Sequence, residues 1–563
     1  MLVWKVLAVA LVISGCSPSS APDASAPEKP AGQAQAPAGA VQLVFTYGSE
    51  KEEWIKDVTT SFNASGARTA SGKPIFVTAI PMGSGECVDE ILNETRKPHL
   101  VSPASGVFIK LGNAQSRQKT GKDLVVGEAE NLVLSPVVIA MWKPMAEALG
   151  WGKKPVGWED ILAVAKSPNG WAAFGQPQWG DFRFGHTHPQ FSNSGIISVL
   201  AEVYAASGKV KNLTLDDVQS AKVADALQGI EQSVVHYGSS TGFFGKKMFT
   251  NGPKYLSAAV LYESSVIESY SSQFTPAFPV VAIYPKEGTF WSDHPVGIVA
   301  RDWVSEEQRA AARIYISYLL AKPQQEKAIT YGFRPSMVEI PIASPIDTAH
   351  GVDPKEPRTT LEIPSTDVMD SILTLWGKAK KHSSITLVLD TSGSMEKDGR
   401  MANAREGALT MLSALSDDDV FGLLPFSTKP IWVSEGAPLK QSREKMKTAI
   451  SGLMESGTTV LYDAIGIAYD KLLQQRKTNP GRIDALVVLT DGADNKSDIS
   501  LEQLLEKVRY DNEGKTIRIF IIGYGDEAEK DKLKKIADAT QGKYYDGTPQ
   551  NIRQVFRDIS TFF

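Results

Sequence analysis

The chain has 563 residues, 42% of them hydrophobic, and a net charge of -5 at neutral pH. This length exceeds what one hydrophobic core holds and predicts several domains, while the weakly acidic balance argues against nucleic acid as the main partner. With two cysteines, Cys16 and Cys87, the sequence offers no framework of disulfide bonds.

The first 40 residues have the composition of a targeting segment followed by a linker. Lys5 precedes an apolar run, so residues 1–15 predict a secretory signal peptide. Residues 13–16 read Ile-Ser-Gly-Cys and resemble the bacterial lipobox, which implies that Cys16 is lipidated and anchors the chain to a membrane. In that resemblance, the following Ser17 implies the outer membrane and periplasm of a cell with two membranes, and otherwise the outer face of the cell membrane. Residues 16–40, rich in Ser, Pro, Ala and Gly, predict a disordered tether.

Strand and helix patterns alternate from Val41 onward, which predicts an α/β fold with a parallel sheet. The apolar runs at 134–144 and 279–285 predict strands that cross from one lobe to another and back. The expected domain covers residues 41–340, with one lobe formed by 41–134 and 285–340 and the other by 135–284.

Several short segments of this region carry a family resemblance in their order. They lie at 47–50, 134–138, 189–195, 284–288 and 332–335. Together they resemble the bacterial extracellular solute-binding proteins of the two-lobed, class II type. The resemblance implies that a small solute binds between the lobes, held by loop hydroxyls and helix N-termini.

The candidate solute ligands are the hydroxyls of Ser49, Ser84, Ser105, Ser135, Ser192 and Ser194. Capping of a helix N-terminus explains each of these serines equally well. Three acidic residues near the same loops, Glu50, Glu86 and Glu263, would repel an anion if they were ionised there. The charge class of the solute therefore stays open.

Two further motifs in this domain give weak signals of reactive sites. His186 and His188 share a face of a predicted strand, but two histidines with no third ligand nearby are too weak a pattern to predict a metal site. Residues 238–242 read Gly-Ser-Ser-Thr-Gly, yet a nucleophilic Ser240 needs a buried strand before it and a helix after it, and the pattern predicts a flexible loop. We therefore expect no enzymatic activity, and Cys87 is interpreted as a small buried apolar residue.

Five prolines between 341 and 364 predict an extended connector, and an apolar face predicts a closing helix over 366–380. The remaining residues, 381–563, alternate strands and helices again. The strand over 384–390 ends in Asp390, which Ser392 and Ser394 follow. Ligands collect beyond the carboxyl ends of strands in such sheets, and oxygen ligands of this kind suit Mg²⁺, or Mn²⁺ or Ca²⁺.

Asp390, Ser392, Ser394, Thr459 and Asp491, in this order, resemble the metal-ion-dependent adhesion site of von Willebrand factor A domains. The resemblance implies a doubly wound, Rossmann-like sheet over 381–563. It also implies that the hydroxyls contact the metal, that the aspartates act partly through water, and that an Asp or Glu of a protein partner fills the open position. Thr458 stays possible in place of Thr459, because the chain has Gly-Thr-Thr where the family usually has Gly-Gly-Thr.

These features together predict a membrane-anchored extracytoplasmic binding protein. One module binds a small solute, and the other captures a protein partner through a divalent metal. The alternative is the substrate-binding receptor of an ABC-type transporter, in which the A domain serves as a docking module.

Overall fold

The computed structural model describes residues 36–509, 517–525, 528–540, 542–549 and 551–563. The predicted signal peptide, Cys16 and most of the predicted tether lie outside these residues. No helix within the described ranges is long and apolar enough to cross a membrane.

The first lobe starts with a parallel βαβ arrangement, as the sequence predicts. Strand β1 pairs in parallel with β2 on one side and β3 on the other, and its apolar side chains are buried under the flanking helices. Cys87, in the second helix, is fully buried, which confirms its predicted role as an apolar residue. The elements are β1 (Val41–Gly48), α1 (Glu52–Ala64), β2 (Ile75–Met82), α2 (Ser84–Leu92), β3 (Leu100–Ser102), α3 (Gly106–Thr120) and β4 (Glu130–Asn131).

The second lobe is built on a ten-residue strand, β5, which is apolar and buried over almost its whole length. It pairs antiparallel with two later strands, β8 and β9, so both predicted crossing strands are confirmed. The elements are β5 (Val133–Trp142), α4 (Lys143–Leu149), α5 (Trp158–Ala165), β6 (Phe184–Thr187), α6 (Asn193–Ser207), α7 (Leu215–Val218), α8 (Ala221–Glu231), β7 (Val234–Gly238), α9 (Thr241–Asn251), β8 (Ala258–Tyr262), α10 (Glu263–Glu268) and β9 (Val280–Ile283).

The segment after β9 is divided between the two lobes, whereas the sequence placed residues 285–340 wholly in the first. Strand β11 joins β3 and β4 of the first sheet, but β10 and β12 pair with the beginning of β5. The start of β5 lies where the lobes meet, so strands returning to the first lobe bond to it on the way. The elements are β10 (Trp291–Ser292), β11 (Pro295–Ile298), α11 (Glu306–Leu320), α12 (Lys322–Thr330), β12 (Arg334–Pro335) and α13 (Thr366–Ala379).

The connector between the two modules lies along the second lobe. Ala282 donates its amide to the carbonyl of Gly351 at 2.8 Å, and Leu361 donates to Thr289 at 2.9 Å. Helix α13, the predicted closing helix, packs against α6 and α8. The connector is therefore bonded to the solute-binding-like module before the last domain begins.

The last domain is a six-stranded sheet with helices on both faces. Its order is β15-β14-β13-β16-β17-β18, and all neighbours are parallel except β14 and β15. The elements are β13 (Ser383–Asp390), α14 (Arg400–Ala414), β14 (Val420–Phe426), β15 (Ser434–Pro438), α15 (Leu439–Ser451), α16 (Leu461–Thr478), β16 (Ile483–Thr490), α17 (Leu501–Val508), β17 (Arg518–Tyr524), α18 (Lys530–Ala539), β18 (Lys543–Gly547) and α19 (Ile552–Ser560).

This arrangement confirms the predicted doubly wound sheet. Strands β13 and β16 are buried along their whole length, as expected for central parallel strands covered on both faces. The chain turns back along β14 before β15 begins, where the amides of Ile431 and Val433 donate to the carbonyls of Pro425 and Leu423 at 3.1 and 3.0 Å. The adjacent carboxyl ends of β13 and β16 create one edge where polar residues meet.

Candidate metal centre and interlobe cleft

Asp390, the last residue of β13, is fully buried at that edge. Its two carboxylate oxygens accept hydrogen bonds from the Ser392 amide at 2.8 Å and the Thr490 hydroxyl at 2.6 Å. Burial raises the pKa of Asp390 to about 6, and the nearby charge of Asp491 adds to the rise. A bound cation would reverse this effect, because it favours the ionised carboxylate.

Two serine hydroxyls connect the segment after β13 to Asp491, which follows β16. The Ser392 Oγ lies 3.1 Å from the Ser394 Oγ, which donates to Asp491 Oδ1 at 2.7 Å. These residues are 97 positions or more from Asp491 in sequence, and the pairing of β13 with β16 brings them together. The predicted oxygen ligands therefore converge at one point of the sheet edge.

Thr459, and not Thr458, faces this point. A Cβ atom placed on Gly492 would lie 3.9 Å from Ser394 Oγ and 4.0 Å from Thr459 Oγ1, so the two hydroxyls border the same space. Thr459 is buried, and its amide donates to the Asn495 side chain at 3.1 Å. The hydroxyl of Thr458 instead donates to the Thr428 hydroxyl at 3.4 Å.

One residue of this site was not singled out from the sequence. The Arg400 guanidinium donates to Asp491 Oδ2 at 2.8 Å and so neutralises one of the two carboxylates. Arg400 is the first residue of α14, where a positive charge is unfavourable unless it is paired. A positive charge at a predicted helix start was therefore the feature of the sequence that could have identified Arg400.

The five oxygen-bearing side chains fit a hard divalent cation. They offer two carboxylates and three hydroxyls, which leave room in six-fold coordination for water or an outside ligand. The convergence of the serines on Asp491 and the burial of Asp390 support this fit. Metal binding itself stays a prediction.

The two lobes of the solute-binding-like module touch through the loops that the sequence selected. The Ser49 hydroxyl lies 2.7 Å from that of Ser240 and accepts a bond from the Gly242 amide at 3.2 Å. A second contact joins the Gly85 amide to the Phe191 carbonyl at 2.8 Å. The lobes are therefore closed on each other at these points.

The prediction of a flexible loop at 238–242 is wrong. Buried strand β7 precedes it and α9 begins at Thr241, so the strand-turn-helix context is present. The strand was missed in the sequence because it contains a polar residue, His236, which is buried against Tyr255. The Ser240 hydroxyl meets Ser49 across the cleft.

The six candidate serines differ in their surroundings. Ser49 and Ser105 border cavities of about 340 and 390 Å³. Ser105 also caps α3 by accepting the Val107 amide, as the capping explanation expects. The other four make bonds within the protein: Ser84 with Ala104, Ser135 with Ser264, Ser192 with Thr241, and Ser194 with Thr187 and Thr241.

The three glutamates expected to repel an anion each have a partner. Glu50 pairs with Lys51 at 2.7 Å, which lowers its pKa to about 2 although burial opposes this. Glu263 forms a two-pronged pair with Arg334 at 2.7 and 2.8 Å. Glu86 faces the last domain, which removes it from the cleft.

The 340 Å³ cavity between the lobes has an acidic lining with aromatic walls. Lys246 of the second lobe lies 3.1 Å from Glu52 of the first and 3.6 Å from Glu268. Burial raises the pKa of Glu268 to about 7, and Lys246 opposes that rise. The acidic residues are Glu50, Glu52, Glu53 and Glu268, and the aromatic ones are Trp54, Tyr270, Tyr331 and Phe333.

Comparison with known proteins agrees with both modules. Residues 384–557 match the von Willebrand factor type A domain, and residues 132–348 match the bacterial extracellular solute-binding protein family. Two uncharacterized proteins of Mycobacterium tuberculosis are each 22% identical over 523 residues, or 87% of this chain and 72% of theirs.

Solved structures also resemble each module. A von Willebrand factor type A protein from Catenulispora acidiphila has 23% identity and a TM-score of 0.29, covering 32% of this chain and 42% of that one. A periplasmic thiamin binding protein has 12% identity and a TM-score of 0.45, covering 62% of this chain and 98% of that one. From its family matches and its sheets, the chain combines a bacterial solute-binding-like domain with a C-terminal von Willebrand factor A domain.

Proposed function

We propose that this protein is an extracytoplasmic, membrane-anchored binding protein. Its solute-binding-like domain holds a small solute between two lobes, and its A domain captures a protein partner through a divalent metal. The observation that carries the second role is the convergence of Ser392, Ser394, Thr459 and Asp491 beside buried Asp390.

The A domain residues would hold Mg²⁺, or Mn²⁺ or Ca²⁺, at the carboxyl edge of β13 and β16. The ion would supply an electrophilic position to which an oxygen of another molecule can bind. Since Arg400 already neutralises part of the charge of Asp491, the site favours a further negative ligand. A carboxylate from an Asp or Glu of the partner fits this position better than a neutral amide oxygen.

A crosslinking pull-down from envelope extracts tests this role. Wild type and Asp390→Ala are compared in Mg²⁺ and in EDTA, with Thr458→Ala as a control that faces away from the site. We expect wild type and Thr458→Ala to recover a partner protein in Mg²⁺ but not in EDTA. Recovery of the same proteins in every sample would reject metal-dependent capture.

For the solute, the lining of the cleft cavity favours a small organic cation. Four glutamates and one lysine line the cavity, and its walls include the partly exposed rings of Tyr270 and Tyr331, against which a cationic group can lie. A cationic solute would replace Lys246 as the partner of Glu52 and Glu268. Isothermal titration with a panel of cationic, neutral and anionic metabolites tests this, with Glu268→Gln expected to weaken only cation binding.

The anchor rests on Cys16 and the segment before it, and the folded domains are consistent with a place outside the cytoplasm. Replacing Cys16 with Ala and labelling cells with a palmitate analogue tests the anchor. Equal labelling of wild type and variant would reject a lipoprotein.

The second candidate function is a transporter receptor, and the closed contact between Ser49 and Ser240 favours it. Lobe closure around a solute is the step that a permease would detect. Deleting the A domain distinguishes the two functions, since a receptor would lose uptake while a metal-dependent adhesion module would lose partner capture.

A further inference from the structure

Three buried acid-base side chains meet inside the second lobe, apart from both sites described above. His186 lies on β6, Glu202 in α6 and Glu231 at the end of α8. One nitrogen or oxygen atom from each lies within 4.8 Å of the other two. Their exposed fractions are 0%, 2% and 0%, so bulk water does not solvate them.

The histidine ring has a defined orientation. Its Nδ1 lies 2.7 Å from the Thr187 carbonyl oxygen, which can only accept, so Nδ1 carries a hydrogen. In the neutral ring, Nε2 then carries a lone pair, and it lies 3.0 Å from Glu231 Oε1. Two acceptors at this distance need a proton or a cation between them. A metal-binding histidine commonly donates its other N–H to a carbonyl in this way.

Each carboxylate also accepts a hydrogen bond from a hydroxyl group. Tyr237 donates to Glu231 Oε2 at 2.7 Å, and Ser198 donates to Glu202 Oε1 at 2.8 Å. The second oxygen of Glu202 is buried and has no hydrogen-bond partner. In the part of the chain that the structure describes, the ion pair of this cluster is the one between His186 and Glu231.

With both carboxylates ionised and the imidazole neutral, the cluster needs a cation to balance its charge. Two ionised carboxylates beside a neutral imidazole carry two negative charges in a buried position, which is strongly unfavourable. A divalent ion would neutralise both carboxylates and use the lone pair of His186.

We infer that His186, Glu202 and Glu231 bind a divalent transition-metal ion of the zinc class. Imidazole nitrogen and carboxylate oxygen are both ligands that Zn²⁺ accepts, and imidazole disfavours Mg²⁺ or Ca²⁺. Because the ligands come from β6, α6 and α8, the ion links the sheet of the second lobe to two helices that α13 covers. Its role is to stabilise the lobe on which the connector lies.

The test uses the full chain carrying Asp390→Ala, which disables the candidate site of the A domain. The protein is stripped with a chelator, incubated with Zn²⁺, dialysed, and measured for metal content and melting temperature. The same measurements are made after adding Glu202→Gln, or His188→Gln as a control at the residue that follows strand β6. His188 is buried against Trp376 and lies outside the cluster.

We expect one Zn²⁺ per chain and a melting temperature several degrees higher with Zn²⁺ than without it. His188→Gln should keep the ion, and Glu202→Gln should lose it while staying folded, because it removes a buried charge. Ser198→Ala should weaken Zn²⁺ binding by about tenfold through the loss of its bond to Glu202.

Two results would overturn the inference. The first is that the protein binds no Zn²⁺ and its melting temperature is the same with and without the ion. That result would indicate a proton shared between Glu231 and His186. The second is full retention of Zn²⁺ in Glu202→Gln. If that variant does not fold, Co²⁺ is added to the Asp390→Ala protein instead. Intense visible absorption, which nitrogen ligation in a low-symmetry site produces, would support the inference. The weak absorption of aqueous Co²⁺ alone would overturn it.

Discussion

Gln554 in the C-terminal helix donates a hydrogen bond of 2.7 Å to Glu86 at the start of α2, 468 residues earlier. The bond joins the A domain to the first lobe, while the carbonyl of Phe562 accepts the Tyr237 amide of the second lobe at 3.4 Å. Helix α19 and the residues after it thus contact both lobes. Movement between the lobes must change at least one of these contacts.

The first prediction concerns the pH dependence of this docking. Burial and the nearby charge of Asp558 raise the pKa of Glu86 to about 8, and burial raises that of Asp558 to about 6. A carboxyl group whose pKa is raised in the docked state stabilises docking fully when it is protonated, at pH values below its ordinary pKa. This stabilisation is lost as the pH rises through the raised pKa of the docked state. The protection factor of α19 against hydrogen exchange, which corrects for the base-catalysed intrinsic rate, should therefore be lower at pH 9 than at pH 5.

Glu86→Gln should remove most of this difference, because glutamine stays neutral at both values. Glu128→Gln, which changes an exposed glutamate of the same lobe, should leave the difference intact. Equal protection factors at both pH values in the wild type would contradict the prediction.

The second prediction concerns the metal centre of the A domain. A site that binds metal only when folded stabilises the domain by about 2.7 kcal/mol at a hundredfold excess over the dissociation constant. Asp390→Ala should abolish this gain, and Thr459→Ala should reduce it. Thr458→Ala should behave as wild type, because its hydroxyl faces Thr428.

Scanning calorimetry in Mg²⁺ and in EDTA provides this measurement. A wild-type A domain transition that is the same in both conditions would reject the site. A loss of the Mg²⁺ effect in Thr458→Ala, with Thr459→Ala unaffected, would exchange the assignments of the two threonines.

The third prediction concerns closure of the lobes. A Cβ atom on Gly242 would lie 2.7 Å from the backbone oxygen of Ser49, so Gly242→Ala should hold the lobes apart. Small-angle scattering should show a larger radius of gyration than for wild type. Gly377→Ala is the control, because no atom lies within 4 Å of the added methyl group. Identical scattering curves would show that closure does not depend on this contact.

The fourth prediction concerns the buried pair of Arg334 and Glu263. Their side chains are 8% and 0% exposed, and Arg334→Met would leave a buried carboxylate without its cation. Such a loss costs about 3–5 kcal/mol of folding free energy. Urea denaturation should show this loss, and adding Glu263→Met should recover most of it. Arg358→Met, at an exposed arginine, should change stability little.

The meeting of Asp390 and Asp491 at one sheet edge, where the candidate metal centre lies, could be predicted from the sequence. Strands β13 and β16 are continuous apolar runs, and each ends at or beside a carboxylate, Asp390 and Asp491. Parallel central strands place their carboxyl ends at one edge, so local pattern and chain order were sufficient. The role of Arg400 was not predictable in this way, because its partner Asp491 is 91 residues distant.

In the solute-binding-like module, by contrast, the sequence predicted the elements but not the partners of the site residues. The sequence located its crossing strands and its candidate loops, since apolar periodicity depends on neighbouring residues alone. It could not tell that Glu263 is paired with Arg334, that Glu86 faces the A domain, or that Ser49 meets Ser240.

By itself, the sequence determined the order of strands and helices, the two kinds of domain and the positions of the candidate oxygen ligands that follow β13 in the chain. The tertiary structure alone decided which distant side chains share a buried space, as His186 does with Glu202 and Glu231. The reason is physical: periodicity records which side of an element is buried, but the partner of a buried polar group is set by how separate elements pack together.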